Sequence, residues 1–441
     1  MPEQDVAIIG GGIAGISAAL ELARHDLNIH LIEKSPFLGG HALNYTCKAD
    51  GVCRECNACL AEEQLKRIHD AENVQLHLAS QLRKIEHRDG IYQLETVQDP
   101  LFSSREEQEA LETLAKTEGW QDLVRRGPSR HNSPFYTLNR SGLEDLRKTA
   151  SSAPKAAAHL NPDKPARSEL IQARAIVLAT GFQPFDPHRI GTFNYSSLSN
   201  VVSALDMEHI RRNSGSHLRP SDRARPGRIA FIQCVGSRSA AQGNLWCSRV
   251  CCPYALRMAR AMQAEQPESA ITFFYMDLQN CDMTPGKTLN ACRSSFRFVR
   301  MMPVDLLPGE GDSVIIRYMA HEEEIREESF DLVVLSVGME PGPENTRLAR
   351  MFDIPLNRHG FFRAASGMTP GTPRDKGIFP AGAATGPKDI AESIEQAGEA
   401  AKDLLTYLSS QETNNHGYER SLAVHTGADH RDGMDRPHRS P

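Results

Sequence analysis

The hydrophobic and polar positions at the start of the chain predict a strand, a glycine turn and a helix. In "DVAIIGGGIAGISAALELARHD" a short β-branched run is followed by glycines and then by small and apolar residues. The next apolar run, "LNIHLIEK", predicts a second strand, so that these elements form one βαβ unit. Further on, "NVQLHLASQLRKIEHRDGIYQLETV" alternates as the strands of a small meander do.

The pattern then changes and returns, which divides the chain into segments. Residues from about 99 to 169 are polar, punctuated by proline and without an evident strand, and they predict an insertion with one or two surface helices and a flexible stretch. A buried strand resumes in "LIQARAIVLATGFQPFDP", and a second α/β unit opens with "RIAFIQCVGS", continues with a helix after Cys252 and closes with "FDLVVLSVGMEPG". "GIFPAGAATGPKDIAESIEQAGEAAKDLLTYL" predicts a strand, a turn and a long helix, and the last residues, 411–441, are expected to be disordered.

Composition narrows the class of protein. The 441 residues suffice for two or three domains, and the net charge of -6 gives no sign of a nucleic-acid-binding surface. No apolar run approaches the roughly 18 residues of a membrane-spanning helix, and the N-terminus does not resemble a secretory signal, so a cytoplasmic location without membrane insertion is expected. Structural disulfides are rare there. The 10 cysteines, most of them in two tight groups, therefore indicate metal ligands or redox groups rather than buried free thiols.

Three glycines lie between the first strand and the first helix in the pattern G-x-G-x-x-G. Gly10 permits the tight turn, Gly12 lets the backbone approach a pyrophosphate at the helix N-terminus, and Gly15 allows close packing of helix on strand. Glu33 ends the next strand at the distance expected for an acid that binds ribose hydroxyls. This context predicts a dinucleotide site that also includes the neighbouring residues Ile13, Ala14, Lys34 and His41.

FAD is favoured over NAD as the dinucleotide. The pair Gly39 and Gly40 follows the second strand, "ATG" (Ala179, Thr180, Gly181) closes a later strand, and "GIFPAGAATG" contributes Gly382 and Ala383 near the C-terminus. In flavoproteins with two dinucleotide-binding domains, segments of this kind return to the flavin. Residues 1–225 are then the first part of an FAD-binding domain, 226–345 a second Rossmann-like domain, and 346–410 the return segment.

The second domain has cysteines where a nicotinamide dinucleotide would need glycines. Its first strand is followed by "CVGSR" instead of a second G-x-G-x-x-G, and four thiols follow the pattern C-x12-C-x3-C-C at Cys234, Cys247, Cys251 and Cys252. Four thiolates suit an iron–sulfur cluster or zinc. Adjacent cysteines fit a simple zinc site poorly but can reach different irons of a cubane, so the pattern favours single-electron transfer where hydride transfer is usual.

An earlier group of cysteines follows the pattern C-x5-C-x2-C-x2-C at Cys47, Cys53, Cys56 and Cys59. The x2 repeats resemble ferredoxin spacing, and zinc is the alternative. Since the group begins shortly after Gly40, its metal is expected near the flavin side of the first domain. Cys281 and Cys292 remain, and both are expected to be ordinary free cysteines.

Several motifs together resemble the A-like flavoprotein of heterodisulfide reductases and its relatives in sulfur-oxidising complexes and in the quinone-interacting membrane-bound oxidoreductase. They are "IQCVGSR", "CSRVCC", "DLVVLSVGM", "FPAGAATGPKDI" and the N-terminal glycine pattern, and the resemblance covers most of 1–95 and 175–405. It implies an α/β, thioredoxin-reductase-like flavoprotein fold, FAD, a cluster on the second cysteine group, B-like and C-like partner subunits and a dimer. Through "GPKDI" it implies that Lys388, Asp389 and Ile390 line the flavin.

Two departures from the family pattern matter. The insertion at 99–169 carries no cysteine, so the electron path is shorter than in the methanogen proteins, and "YTCKADGVCRECNACL" favours the sulfur-oxidising branch. The predicted function is an FAD and iron–sulfur electron-transfer subunit with two [4Fe-4S] clusters, which works within a multi-subunit oxidoreductase. Lys388 is expected either to stabilise reduced flavin or to pair with the pyrophosphate or a carboxylate.

Three other functions remain open. One is a pyridine nucleotide–disulfide oxidoreductase that uses Cys47 and Cys53 as its redox pair, although such pairs usually have C-x4-C spacing. The second is a zinc-stabilised scaffold with structural FAD. The third is membership of a quinone-linked complex of sulfate reduction.

Overall fold

The computed structural model describes most of the chain. The described residues are 5–49, 51–102, 104–117, 119–120, 123–128, 134–138, 140–148, 154–161, 163–279, 289–320, 324–363 and 373–426. Cys281 lies outside these ranges.

The N-terminal segment forms the predicted βαβ unit and meander. Parallel pairing joins the first three strands of this segment, and the strands that follow pair antiparallel. The elements are β1 (Asp5–Ile9), α1 (Ile13–Leu22), β2 (Asn28–Ile32), α2 (Ala58–His69), β3 (Val74–His77), β4 (Ser80–Arg88) and β5 (Ile91–Gln98), with a 3-10 turn at Gly40–Asn44.

The insertion contains strands, and the prediction that it lacks them is wrong. An antiparallel hairpin and two helices are present, together with a 3-10 turn at Lys155–His159. Phe102, Leu111, Leu114, Trp120 and Leu146 pack into a small core of their own. Because these apolar residues are spread over both helices and the hairpin, their common face is not visible in the local pattern. The elements are α3 (Arg105–Leu114), β6 (Val124–Pro128), β7 (Pro134–Leu138), α4 (Arg140–Lys148) and β8 (Arg167–Ala173), the last of which returns to pair with β5.

The second α/β unit follows a strand of the first sheet. Its strands are continuous apolar runs because both faces of a parallel sheet are covered. The elements are β9 (Ala175–Leu178), β10 (Phe182–Pro184), β11 (Val201–Ser203), α5 (Ala204–Ser214), β12 (Arg228–Val235), α6 (Cys251–Glu265), β13 (Ala270–Phe274), α7 (Leu289–Ser295) and β14 (Arg297–Val299), with short 3-10 turns at Pro187–Arg189 and Gly191–Phe193.

The C-terminal part completes both sheets. It comprises β15 (Pro303–Pro308), β16 (Val314–Met319), β17 (Ile325–Phe330), β18 (Leu332–Val337), β19 (Met339–Pro341), α8 (Asn345–Phe352), β20 (Ile378–Pro380) and α9 (Ile390–Thr426), with 3-10 turns at Glu310–Asp312, Pro373–Lys376 and Gly382–Thr385. Helix α9 continues past residue 411, from which disorder is expected, and ends at Thr426. Residues 427–441 lie outside the described ranges.

Two parallel five-stranded sheets organise the molecule. The first has the order β20-β9-β1-β2-β3 and the second the order β11-β18-β12-β13-β14, and a three-stranded meander accompanies each. Helices α1 and α9 cover one face of the first sheet, and α5 and α6 cover one face of the second. Among the helices described, none combines the length and apolar character required to cross a bilayer.

Candidate functional site

The glycine turn, Glu33, and the "ATG" and "AGAATG" segments meet at one edge of the first sheet. They follow the carboxyl ends of β1, β2, β9 and β20 respectively, which are neighbours in the sheet. In open α/β sheets ligands bind outside this edge. Segments that are far apart in the sequence therefore surround one site.

Each of the three fingerprint glycines is required for a different reason. At Gly10 the backbone has φ +109°, and a side chain would collide with the Ala179 carbonyl oxygen. A side chain at Gly15 would collide with the Gly10 carbonyl oxygen. At Gly12 a Cβ would meet no described atom within 4 Å. Gly12 is also the N-cap residue directly before α1, so it leaves a space open beside unpaired helix N–H groups, as a pyrophosphate site requires.

Glu33 supports this turn from the end of the second strand. Its side chain is buried, and its carboxylate accepts hydrogen bonds from the Gly11 N–H at 2.6 Å and the Ser35 N–H at 2.7 Å. The carboxylate therefore fixes the glycine turn. The carboxylate also faces a large cavity, where its remaining lone pairs are available to ribose hydroxyls.

One large cavity lies along this edge. Its volume of about 1910 Å³ exceeds the roughly 300–1,000 Å³ of ordinary ligand pockets. Most of the residues predicted to bind the cofactor line it: Gly10, Gly12, Ile13, Ala14, Glu33, Lys34, Gly40, His41, Ala179, Thr180, Gly181, Ala383, Lys388, Asp389 and Ile390.

Three of the predicted cofactor residues do not line the cavity but shape its wall. Gly15 packs under the turn. Gly39, at φ +103°, donates its N–H to the Gly11 carbonyl at 2.7 Å, and Gly382, at φ +66°, leaves no room for a Cβ beside Ala14. Each of these positions requires glycine because the backbone passes close to another segment.

His41 and Lys388 face the cavity from opposite ends of the sequence. The His41 ring contacts Phe182, with Nε2 at 3.2 Å from the Phe182 carbonyl oxygen, and burial lowers the pKa of His41. Lys388 donates to Thr385 Oγ1 at 2.8 Å. Burial, together with Arg249, lowers the pKa of Lys388, and Glu392 opposes this only in part. Among the described residues no carboxylate forms an ion pair with Lys388, which disfavours the structural ion pair as its role.

The second cysteine group lies around a loop that is fastened to the start of β19. Cys234, near the end of β12, has φ +58°, a left-handed conformation that is unusual for a residue with a side chain. Ser248 contacts Ser237 at 2.6 Å and accepts from the Met339 N–H at 2.7 Å, and Trp246 donates to the Met339 carbonyl at 3.0 Å. The loop is therefore held in one conformation that costs backbone energy, a common property of functional sites.

The thiols of this group lie near one another. A hydrogen bond with Cys252, burial, and the other thiols raise the pKa of Cys251, and burial followed by Cys252 raises the pKa of Cys234 to about 11. Arg238 opposes the shift at Cys234. Since each thiolate would be repelled by the others, this donor set calls for a positively charged group to hold it as thiolates.

The sequence pattern of this group leaves two kinds of metal group open. The described residues include no set of three or more His, Cys, Asp or Glu side chains arranged to hold a metal ion. A tetrahedral zinc ion needs four donors at only about 2.0–2.3 Å from one point. A cubane binds one thiolate per iron, so the adjacent thiols Cys251 and Cys252 could reach two different irons.

The first cysteine group is more open. Cys47, Cys53 and Cys59 are exposed, Cys56 is half-buried, and among the described residues no hydrogen bond or electrostatic contact joins these four thiols. Residues 46–49 and 51–57 form no helix or strand, and Cys59 lies in the first turn of α2.

A buried ion pair fastens the first cysteine loop to the second α/β unit, and sequence analysis missed it. Lys48 is 1% exposed and Glu208, on α5, is 0% exposed; the Lys48 ammonium donates to Glu208 Oε1. Glu208 also accepts from the Thr46 N–H at 2.9 Å, from Thr46 Oγ1 at 2.6 Å and from the Tyr254 hydroxyl at 2.8 Å. Burial alone would raise the pKa of Glu208, but Lys48 and Thr46 outweigh it and hold that pKa below its usual range.

Arginines from the same unit hold the backbone of this loop. Arg211 donates to the Cys47 carbonyl, and Arg257 Nε donates to the Arg54 carbonyl at 2.9 Å. Because α6 carries Arg257 and also begins at Cys251, the two cysteine groups are held in a fixed relation. Cys56 and Cys251 both line the large cavity.

Comparison with known proteins shows which proteins the chain is similar to. Residues 5–127 match the family model described as FAD dependent oxidoreductase. The chain is 29% identical over 90% of its length to the A-type iron-sulfur protein of CoB–CoM heterodisulfide reductase from Methanocaldococcus jannaschii. It is 27% identical over 93% to the A-type protein of the ferredoxin/F420H2-dependent enzyme from Methanosarcina acetivorans. The resemblance to the A-like flavoprotein of heterodisulfide reductases is confirmed. The chain spans 63% and 54% of the lengths of these two relatives.

Solved structures confirm the predicted fold. The thioredoxin reductase of T. acidophilum matches 92% of the present chain and 99% of its own chain, with a TM-score of 0.52 and 15% sequence identity. The thioredoxin reductase of Lactococcus lactis matches 92% of the present chain and 100% of its own chain, with a TM-score of 0.50 and 14% sequence identity. The chain thus has the α/β fold of flavoproteins with two dinucleotide-binding domains. The match of residues 5–127 to the FAD dependent oxidoreductase family model supports FAD as the cofactor.

The glycine geometry generates the first prediction. Gly12→Ala places a methyl group in open space at an ordinary φ, so the free energy of unfolding of flavin-free protein should change by no more than about 0.5 kcal/mol. FAD binding should weaken at least about tenfold, since the methyl occupies the pyrophosphate position. Urea unfolding and FAD titration measure the two effects. Gly15→Ala is the matched control and should destabilise the flavin-free protein itself; equal effects of both variants would contradict the assignment.

The buried ion pair generates the second prediction. Glu208→Gln leaves the Lys48 ammonium buried without its counter-charge, and we expect a loss of about 3–5 kcal/mol in the free energy of unfolding. Urea unfolding measures it. Glu109→Gln, in an exposed pair with Arg105, is the control and should cost less than about 1 kcal/mol. A loss at Glu208 no larger than that at Glu109 would show that the pair is not important for stability.

Proposed function

We propose that the chain is an FAD and iron–sulfur electron-transfer subunit of a heterodisulfide reductase-like complex. The observation that carries this proposal is the shared cavity. Gly12 and Lys388 line it at the dinucleotide turn, and Cys56 and Cys251 line it from the two cysteine groups. A flavin in this cavity would therefore lie close to both sets of thiols.

The residues of the first sheet would hold the flavin nucleotide. Gly12 and the N-terminal N–H groups of α1 would receive the pyrophosphate, and Glu33 would accept from the ribose. Bound FAD supplies chemistry that no side chain offers, because it exchanges electrons in pairs or singly and so links two-electron donors to one-electron carriers. The protein contributes position, charge and exclusion of water.

The second cysteine group would hold a [4Fe-4S] cluster. Its thiols are held together by the loop between β12 and α6, and Arg238 puts positive charge beside Cys234 and Cys247. The first group, Cys47, Cys53, Cys56 and Cys59, would hold a second [4Fe-4S] cluster, with zinc as the alternative. The fixed relation of the two loops through Lys48 and Glu208 suits electron transfer, which needs constant distances.

Lys388 would place a positive charge at the flavin. It contacts Thr385 and forms no ion pair among the described residues, so its charge is available to the cavity. Stabilising negative charge on the bound ring is the role that we assign to it. Pairing with the pyrophosphate is the alternative, and the two are separable by experiment.

The partner subunits that we propose are based on the names of the relatives. Those proteins are named as subunits of heterodisulfide reductases, and the present chain corresponds to part of them. We propose B-like and C-like partner subunits, a homodimer, a cytoplasmic location and a role in sulfur metabolism, the last on the richness in cysteine of residues 45–60.

The third prediction tests the metal content. Protein purified without oxygen should contain FAD and about eight irons with matching sulfide per chain. Cys234→Ala should lower the iron to about four, and Cys292→Ala, a buried cysteine outside both groups, should leave it unchanged. Zinc without acid-labile sulfide would overturn the proposal, and four irons with one zinc would overturn only the cluster at the first group. Rapid reduction of the flavin by NADPH alone would instead support a pyridine nucleotide–disulfide oxidoreductase.

The fourth prediction concerns Lys388. Lys388→Met should reduce the equilibrium constant for two-electron reduction of bound FAD about tenfold, which corresponds to about 30 mV, because the nearby positive charge is lost. Lys388→Arg keeps the charge and should retain most of the potential. Spectroelectrochemical titration measures both. A lower FAD affinity at unchanged potential would assign Lys388 to the pyrophosphate instead.

A further inference from the structure

Two buried polar side chains lie unpaired at the end of the second sheet. Gln233, on β12, is 0% exposed and Ser336, on β18, is 1% exposed. Neither the amide nitrogen nor the amide oxygen of Gln233 has a hydrogen-bond partner within the described part of the chain, and the same holds for Ser336 Oγ. A buried polar group without a partner is costly, so two of them together indicate a missing partner.

Both side chains point to the same face of the sheet. Side chains alternate along a strand, and Ile229 and Phe231 pack with α6, whereas Ala230 and Ile232 pack against the opposite face. Gln233 follows the first pair in this alternation. On β18, Leu332 and Val334 likewise pack with α6, so Ser336 lies on that face too.

The strand register brings the two residues next to each other. Ile229 pairs with Leu332 and Ile232 with Leu335, so Gln233 and Ser336 each directly follow the last regular pair of their two strands. The register then shifts between Ile232 and Val235, and Cys234 within this irregular stretch has a positive φ. The helix above them on this face is α6, which follows β12 through the cysteine loop and begins at Cys251 and Cys252, two buried thiols of the same packing cluster.

We propose that Gln233 and Ser336 donate hydrogen bonds to sulfur atoms of the cluster held by Cys234, Cys247, Cys251 and Cys252. This inference rests on the proposed function. Cluster sulfurs accept hydrogen bonds, and such bonds are among the factors that set the reduction potential. A donated hydrogen bond stabilises the more negative, reduced form. The two residues are thus positioning and tuning residues for this cluster rather than ligands.

The test is the potential of the cluster in the full chain. Gln233→Met keeps the length of the side chain and removes its donor. We expect the equilibrium constant for one-electron reduction to fall about tenfold, which is a downward shift of about 59 mV. Potentiometric titration followed by electron paramagnetic resonance measures it, and the signal that disappears in Cys234→Ala identifies this cluster.

The matched control is Gln98→Met. Gln98 lies in the meander of the first domain, where it donates to the Leu78 carbonyl at 3.0 Å, so its loss should leave the potential unchanged. Ser336→Ala is the second variant, and it should lower the potential in the same direction. It also keeps the test open if Gln233→Met fails to assemble the cluster.

The outcomes separate the inference from the proposed function. Wild-type protein without iron and sulfide would overturn the proposed function, and the inference with it. Normal iron content with an unchanged potential in Gln233→Met or, where that variant lacks the cluster, in Ser336→Ala would overturn the inference alone, and would indicate that buried water is the missing partner. A lowered potential at normal iron content supports it, because a purely structural role would not move the potential.

Discussion

The buried carboxylate of Glu208 is the contact on which the arrangement of the two units depends. It receives Lys48 and Thr46 from the first cysteine loop and Tyr254 from the helix that carries Cys251. A charge at 0% exposure is tolerated only because these donors surround it. Together with Arg211 and Arg257, which donate to the Cys47 and Arg54 carbonyls, these donors determine the position of the first cysteine loop. The relation between the two cysteine groups is therefore electrostatic in origin.

The second α/β unit has the fold of a dinucleotide-binding domain, but protein atoms fill the turn that follows its first strand. Gly236 stands where a dinucleotide fingerprint would continue, but a side chain there would collide with the Phe185 ring, so this glycine serves close packing. Asp277 follows β13, at a position where such domains often carry an acid for ribose, yet here it pairs with Arg238 of the cysteine loop. Gly236 and Asp277 thus support the loop that holds the thiols.

The sequence predicted those features whose causes are local. The glycine turn, the acid after β2 and the alternation of the meander each depend on neighbouring residues, and the structure has them at the expected positions. Lys48 and Glu208 are 160 residues apart, and nothing near either residue indicates its partner. The core of the insertion was missed for the same reason, since Phe102, Trp120 and Leu146 are far apart in the sequence and meet only in the folded insertion. Orphaned side chains such as Gln233 become visible only when burial and partners are known.

The strain and the electrostatics of the second cysteine group have one common explanation. Cys234 adopts a left-handed backbone conformation, and its thiol and that of Cys251 have raised pKa values because burial and neighbouring thiols disfavour the thiolate. The left-handed backbone is a cost to folding, and the raised pKa values are a cost to forming the thiolates that a metal binds. A cationic group that binds the sulfurs offsets both costs. It makes the thiolates favourable, and its metal–sulfur bonds stabilise the strained loop. Without such a group, no interaction would compensate the free-energy cost of the strained loop that holds the buried thiols.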